Sequence, residues 1–187
     1  MPNNVRNQPI YLGHSGDPER VAFDLPHPYP GQIGARVTIA QPYPNPSGAG
    51  AEEGRSKTYQ LVKGDSSMTT APFPGAVMWW KDKAQYQVST SPTATARGNV
   101  AGICQGSPGA GQAFFVQTQG PATVKHVDAP GGGAFAVGDT AIPSATAGKA
   151  DRVAAGTAPT YPALGLVSRI TNGNAEIIVD LDVPETP

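Results

Sequence analysis

The chain has 187 residues, enough for one or two small domains with a real buried core. Its formal net charge is −1, with only 14% charged residues and no concentrated Lys/Arg patch, which argues against nucleic acid as a partner. The longest apolar run, Ala76–Trp80, is too short to span a bilayer, and a single cysteine, Cys104, excludes an intrachain disulfide or a thiolate metal site.

Residues 1–34 read as an extended arm. Pro2, Pro9, Pro18, Pro26, Pro28 and Pro30 fix φ and remove donors, so neither a helix nor an inner strand is expected. The first residues lack a basic segment followed by an apolar one, so no secretory leader is expected. Ile10, Tyr11, Leu12, Val21, Phe23 and Leu25 are apolar residues in need of a surface. Three readings stay open: a tail over its own domain, an arm reaching a neighbouring subunit, or disorder.

Residues 35–92 read as a small β subdomain. Its candidate strands are Ala35–Ala40, Lys57–Lys63, Gly75–Trp80 and Ala84–Thr90, the second and fourth alternating as strands with one wet face. A long Pro/Gly/Glu loop, 41–56, separates the first two, and Lys81–Lys83 is a polar turn making a hairpin of the last two. Trp79 and Trp80 point to opposite faces of a strand. Either one is core and the other outward, at a subunit or ligand contact, or both are buried in a thick core.

Residues 93–187 read as a C-terminal β-barrel module, a row of short apolar runs separated by turns. Thr171–Asn174 (TNGN) is its clearest hairpin turn, because Asn-Gly favours the positive φ of a type I′ turn, and it would pair Leu164–Ile170 with Ala175–Leu181. No stretch carries a sustained helical stripe. The fold class is therefore all-β: a small β-barrel or β-tulip-like module with an extended arm and a second small β subdomain.

Motifs for chemistry are weak. His14, His27 and His126 show no spacing that places two on one face, so metal binding is not expected. His126 and Asp128 share a face if their strand continues, yet no nucleophile elbow accompanies them. Gly13–Asp17 (GHSGD) lacks the second glycine of that motif, and Gly106–Gly109 (GSPG) does not match it. The glycine-rich pieces Gly48–Gly54 and Gly106–Gln112 lack the Lys-Ser/Thr of a phosphate loop and open no helix, so both read as turns. Asp180, Asp182 and Glu185 fall short of the six to eight oxygen ligands calcium takes and read as a solvated strand end. No catalytic residue, cofactor or metal is expected, and the chain does not read as an enzyme.

The module Asn99–Val183 resembles the small capsid cement, or head decoration, proteins of tailed bacteriophages. NVAGICQ is similar to their opening strand and GSPGAG to the turn after it; GQAFFVQTQGPATVKHV resembles the next pair of strands. AVGDTAI and ATAGKADRVA follow in order, and ALGLVSRITNGNAEIIVDL resembles the closing hairpin. The likeness covers about half the chain and rests on turn glycines and apolar alternation. A recombinase label sometimes attached to such proteins implies ATP chemistry, for which this chain lacks the phosphate-loop lysine.

The resemblance implies a β-barrel or β-tulip assembled as a homotrimer at local threefold positions on the outer surface of the expanded icosahedral capsid. The implied partners are the major capsid protein, further copies of the chain, and neighbouring cement trimers met through the N-terminal arm. The implied location is the virion, after synthesis in the host bacterial cytoplasm; neither nucleic acid nor a membrane is an expected partner. Ile10, Tyr11, Leu12, Val21, Phe23, Trp79 and Trp80 are the candidate interface residues. The alternatives are a virion binding module, such as a fibre or glycan-binding piece with the two tryptophans as a sugar platform, and a head or tail connector.

Overall fold

A computed structural model describes residues 33–39, 56–92, 99–128, 130–131, 133–159, 161–171 and 176–183. They contain ten strands and no helix: β1 (Arg36–Ile39), β2 (Lys57–Gly64), β3 (Ala76–Asp82), β4 (Gln87–Ser89), β5 (Val100–Cys104), β6 (Ala113–Lys125), β7 (Thr140–Pro143), β8 (Ala150–Val153), β9 (Gly165–Ile170) and β10 (Glu176–Asp182). The all-β small-barrel expectation holds. The arm residues, the long loop up to Arg55 and the tip of the TNGN turn lie outside the described residues.

Five strands close into a barrel in the order β2–β4–β3–β5–β6 and back to β2. Every contact in that circuit is antiparallel except β2 with β4, where Lys63 faces Gln87 and Gly64 faces Val88 in parallel. The interior is filled by Val62, Ala76, Met78, Trp80, Val88, Ala101, Cys104, Phe114 and Val116, at least one from each strand. Closure removes the exposed edges that make open sheets prone to edge pairing. The barrel takes strands from both sides of the boundary expected near residue 92, since β5 and the first half of β6 complete what β2, β3 and β4 begin.

A second circuit shares β6. It runs β6–β10–β9–β7–β8 and returns to the end of β6 through a single bridge, His126 with Ala150, where Val127 N donates to Ala150 O at 3.0 Å. The hairpin of β9 and β10 is the one expected from TNGN, with Ile177 facing Ile170 and Leu181 facing Gly165. Its apolar side chains, including Val167, Ile177, Val179 and Leu164, pack with Val77 and Trp79 from the back of β3.

Strand β6 holds the two circuits together. Residues Ala113–Gln119 pair with β2, and Gln119–Lys125 pair with β10. The change of partner falls at Gly120-Pro121, so a stretch that resembles two strands in sequence is one bent strand of 13 residues. Gly120 has φ +84°, and a Cβ there would sit 2.3 Å from Ser56 O, so only glycine fits. Pro121 lies beyond the last β2 partner, where a missing N–H is tolerated. Gln117 is fully buried, and its side-chain NH2 donates to the carbonyls of Gln119 (3.1 Å), Gly120 (3.3 Å) and Pro121 (2.9 Å). Three acceptors around one nitrogen fix the orientation of the amide.

Two expected strands differ from those observed. Lys57–Lys63 was expected to have one wet face, but β2 is almost wholly buried: Val62 faces the barrel interior, while Tyr59 and Leu61 pack with Phe115 and Val37 outside it. Ala84–Thr90 contracts to the three residues of β4. Asp82 Oδ1 accepts from the N–H groups of Ala84 (2.9 Å) and Gln85 (3.3 Å), an Asx turn that competes with strand pairing. Tyr86 then takes a positive φ of 49° and lays its ring edge-on to Trp80, centroids 6.1 Å apart.

Replacing Gln117 by Leu removes the donor of the buried Pro121 contact, worth about 1–3 kcal/mol, and of the half-exposed carbonyls of Gln119 and Gly120. Gln117→Leu and Gly120→Ala should each lower the melting temperature of the whole chain by at least several degrees, at about 2–4 °C per kcal/mol for this size. Differential scanning calorimetry measures it, and a melting temperature unchanged in both variants contradicts the role assigned to the bend.

Candidate functional site

Both tryptophans are buried, Trp79 to 1% and Trp80 to 5% exposure. Their indoles do point to opposite faces, as strand geometry requires, but each face of β3 is covered: Trp80 fills the barrel and Trp79 the second circuit. The outward indole expected as one alternative is absent, because β3 lies between two cores. The other candidate interface residues, Ile10, Tyr11, Leu12, Val21 and Phe23, lie outside the described residues, as do His14, His27, Glu185, GHSGD and the Gly48–Gly54 loop.

The His126–Asp128 pair does not form. The chain leaves β6 after Lys125, and the Asp128 carboxylate, 98% exposed, meets Lys149 Nζ at 3.4 Å. His126 is buried, and its Nδ1 lies 2.6 Å from the Val127 carbonyl. A carbonyl only accepts, so Nδ1 carries a hydrogen. The imidazole packs on Phe135, centroids 5.0 Å apart. A pocket of about 360 Å³ opens there, lined by His126, Asp128, Pro130, Ala134, Phe135 and Ile170.

A second cleft, of about 250 Å³, lies beside the β3–β4 hairpin and is lined by Asp65, Ser67, Met68, Trp80, Lys81 and Ser89 among others. Asp65 accepts from Lys81 Nζ at 2.5 Å and from the Ser67 hydroxyl and N–H. The lysine, then the Ser67 N–H, hold its carboxyl below the usual carboxylate range against the opposing effect of burial. Asp65, Ser67 and Lys81 are thus committed to one another, while the buried indole N–H of Trp79, which also lines the cleft, has no hydrogen-bond partner among the described residues.

The tightest polar cluster escaped sequence reading. Asp139 is buried beneath the loop leading to β7, where Arg152 Nε donates to Oδ2 at 2.6 Å, Ala136 N to Oδ2 at 2.7 Å and Ala155 N to Oδ1 at 3.1 Å. Burial pushes this carboxyl upward, but the Ala136 N–H, the guanidinium and the Ala155 N–H outweigh it and hold the group below its ordinary value. The partners come from both ends of a 20-residue stretch, so no local motif announces them. Asp151 adds a neighbouring tie, accepting from Gly131 N at 2.7 Å.

The GSPG segment is a turn, as expected: Gly109 N donates to Gln112 Oε1 at 2.6 Å and strand β6 follows. Asp182 is exposed at the end of β10, and among the described residues no three His, Cys, Asp or Glu side chains gather as metal ligands. Val137 and Leu166 are exposed apolar side chains. Cys104 is fully buried in the barrel, with its sulfur 3.3 Å from Gly106 O, and burial pushes the thiol up to about 12.

No protein-family model matches the chain, and no curated protein matches it. Among solved structures it is similar to a chain of "The capsid of Myoviridae Phage XM1", with a TM-score of 0.32 and 18% identity over 65% of this chain and 82% of that one. A likeness at that TM-score carries no argument about activity or partners.

Because the native carboxyls of Asp139 and Asp65 are lowered, their stabilisation is fully present above the unfolded value, about 3.9, and is lost as pH falls through the native values. Asp139→Asn should cost roughly 3 kcal/mol at pH 7, since it removes the charge that compensates the largely buried Arg152 guanidinium. It should also flatten the acid limb of the stability curve. Urea titrations from pH 7 to pH 2 measure both, and an acid limb parallel to wild type contradicts the assignment. Cys104 should not react with Ellman's reagent at pH 8 in the folded chain and should react stoichiometrically in denaturant; rapid labelling of the native protein would show the barrel to be open.

Proposed function

We propose that this chain is a structural protein of a tailed-phage virion, and more narrowly a cement protein that binds the outer surface of the expanded icosahedral shell as trimers at local threefold positions. One observation carries the reading. The segments of Asn99–Val183 that resemble the cement family form strands β5 to β10 of an all-β body, with GQAFFVQTQGPATVKHV running as the single strand β6 in place of the paired strands of the resemblance.

The physics of such a role fits this molecule. A cement protein needs a rigid body and contacts spread over several partners, not a reacting group. Here the buried polar side chains Asp139, Arg152, Asp65 and Gln117 are engaged in holding loops and strands in place. A ligand that binds only the expanded state of a shell stabilises that state by mass action, by about 2.7 kcal/mol at a hundredfold excess over Kd. A contact burying roughly 1,200–2,000 Å² would suffice for specific attachment. Near-neutral charge lets many copies sit side by side without mutual repulsion. In this reading the partners are the major capsid protein, two further copies in the trimer, and neighbouring trimers met through residues 1–34. The chain is not an enzyme and takes no cofactor. The sugar-platform alternative asked for an outward tryptophan, and both indoles are buried.

Co-sedimentation with expanded and unexpanded shells of the cognate phage tests this. Saturable binding to expanded shells alone, in multiples of three per threefold site, is expected; failure to bind either shell removes the reading. Deleting residues 1–30 should leave the β body folded, with an unchanged far-ultraviolet circular dichroism band, and should lower shell occupancy. Full occupancy and unchanged capsid stability after the deletion would sink the role given to the arm.

A further inference from the structure

Trp79 holds a buried donor that the fold does not use. The residue is 1% exposed, yet among the described residues its indole Nε1–H has no hydrogen-bond partner. A buried indole N–H ordinarily finds an acceptor, so an orphan in a cleft wall points to an acceptor from outside the fold. Trp79 lines the cleft of about 250 Å³ beside the β3–β4 hairpin. Ser89 stands opposite Trp79 in that hairpin, so the two side chains share one face of the sheet, about 5 Å apart at Cβ. Ser89 also lines the cleft and is buried. Its Oγ accepts from Ser91 N at 3.2 Å, which leaves the hydroxyl hydrogen to donate. Two adjacent donors therefore face the same space.

Charge narrows the class of ligand. Among the described residues lining the cleft, Lys81 is the only cation and Asp65 the only anion, and the two are already paired. A carboxylate would enter beside Asp65 with no cation of its own, and an ammonium would meet two donors. A neutral carbonyl oxygen brings two lone pairs and no hydrogen, which matches the donor pair of Trp79 and Ser89. Met68 supplies an apolar wall, and the volume lies below the usual range of small-molecule pockets, so the cleft suits a group the size of one side chain. We propose that this cleft binds a small amide, its carbonyl oxygen accepting from Trp79 Nε1 and from the Ser89 hydroxyl, with its alkyl part against Met68. The site needs only the folded chain and stands apart from shell attachment.

The test is a 1H–15N correlation titration of the full-length, 15N-labelled chain. It has two tryptophans, so the indole region holds two signals, assigned through their own backbone resonances. N,N-dimethylacetamide should move the Trp79 indole proton downfield and saturably in the millimolar range, and sodium acetate should not. Ser89→Ala should raise the Kd for N,N-dimethylacetamide about three- to tenfold, the loss of one hydrogen bond of ordinary strength. The absence of a saturable shift in the wild type would overturn the proposal, as would an equal Kd in Ser89→Ala. Acetate binding as tightly as the amide would make the cleft an anion site and overturn the assigned class. A long-lived water, seen by cross-relaxation to the Trp79 indole proton and kept in place as amide is added, would give the donor to internal solvent and overturn the ligand.

Discussion

The fold depends on a single strand serving two closed circuits. Strand β6 must pair with β2 along its first half and with β10 along its second. A straight strand cannot do both, because the two partners lie in different barrels. The bend at Gly120-Pro121 resolves this, and the side-chain NH2 of the buried Gln117 donates to the carbonyls of Gln119, Gly120 and Pro121 there. A buried carbonyl without a donor is expensive, so the amide is what lets a bend exist inside a core. The barrel, the second circuit and the double-sided burial of β3 all follow from that geometry.

The second circuit is closed more lightly than the first. The barrel is sealed by ladders on every side, whereas the return from β8 to β6 rests on one bridge at His126. Side chains supply what the ladder lacks there. Asp139 and Asp151 gather N–H groups from the loops before β7 and around β8, and Arg152 anchors the first of them. A carboxylate serving several donors in a dry site holds a loop far more firmly than an exposed ion pair such as Lys149 with Asp128.

This distribution of polar groups bears on function. Asp139, Arg152, Asp65, Lys81 and Gln117 have partners that are parts of the fold. Among the described residues, the exposed apolar side chains Val137 and Leu166, the cleft beside Asp65 and the pocket at His126 are outside that framework. A body of this kind suits attachment over a broad surface. Closure of the sheets also limits free edges, which favours a protein that packs at high copy number without strand exchange.

The all-β class and most strands were legible in the sequence, because apolar runs bounded by Gly, Pro, Asn and Asp are local signals. The β3–β4 hairpin and the β9–β10 hairpin could be read the same way, the second from Asn172-Gly173 alone. The opposite orientation of Trp79 and Trp80 followed from the two-residue period of a strand, but their burial did not. Whether a face is wet depends on what packs against it, and the second core behind β3 comes from residues about 20–105 positions away. The unity of β6 was likewise hidden, since Gly-Pro ordinarily marks the end of a strand, and only the carbonyl contacts of Gln117 allow it to continue. The Asp139 cluster and the His126 pocket join residues from separate loops. Local pattern determined which segments are strands; the tertiary structure alone decided which strands share a barrel, which faces are dry and which polar groups meet, because those depend on long-range pairing and burial that no short window contains.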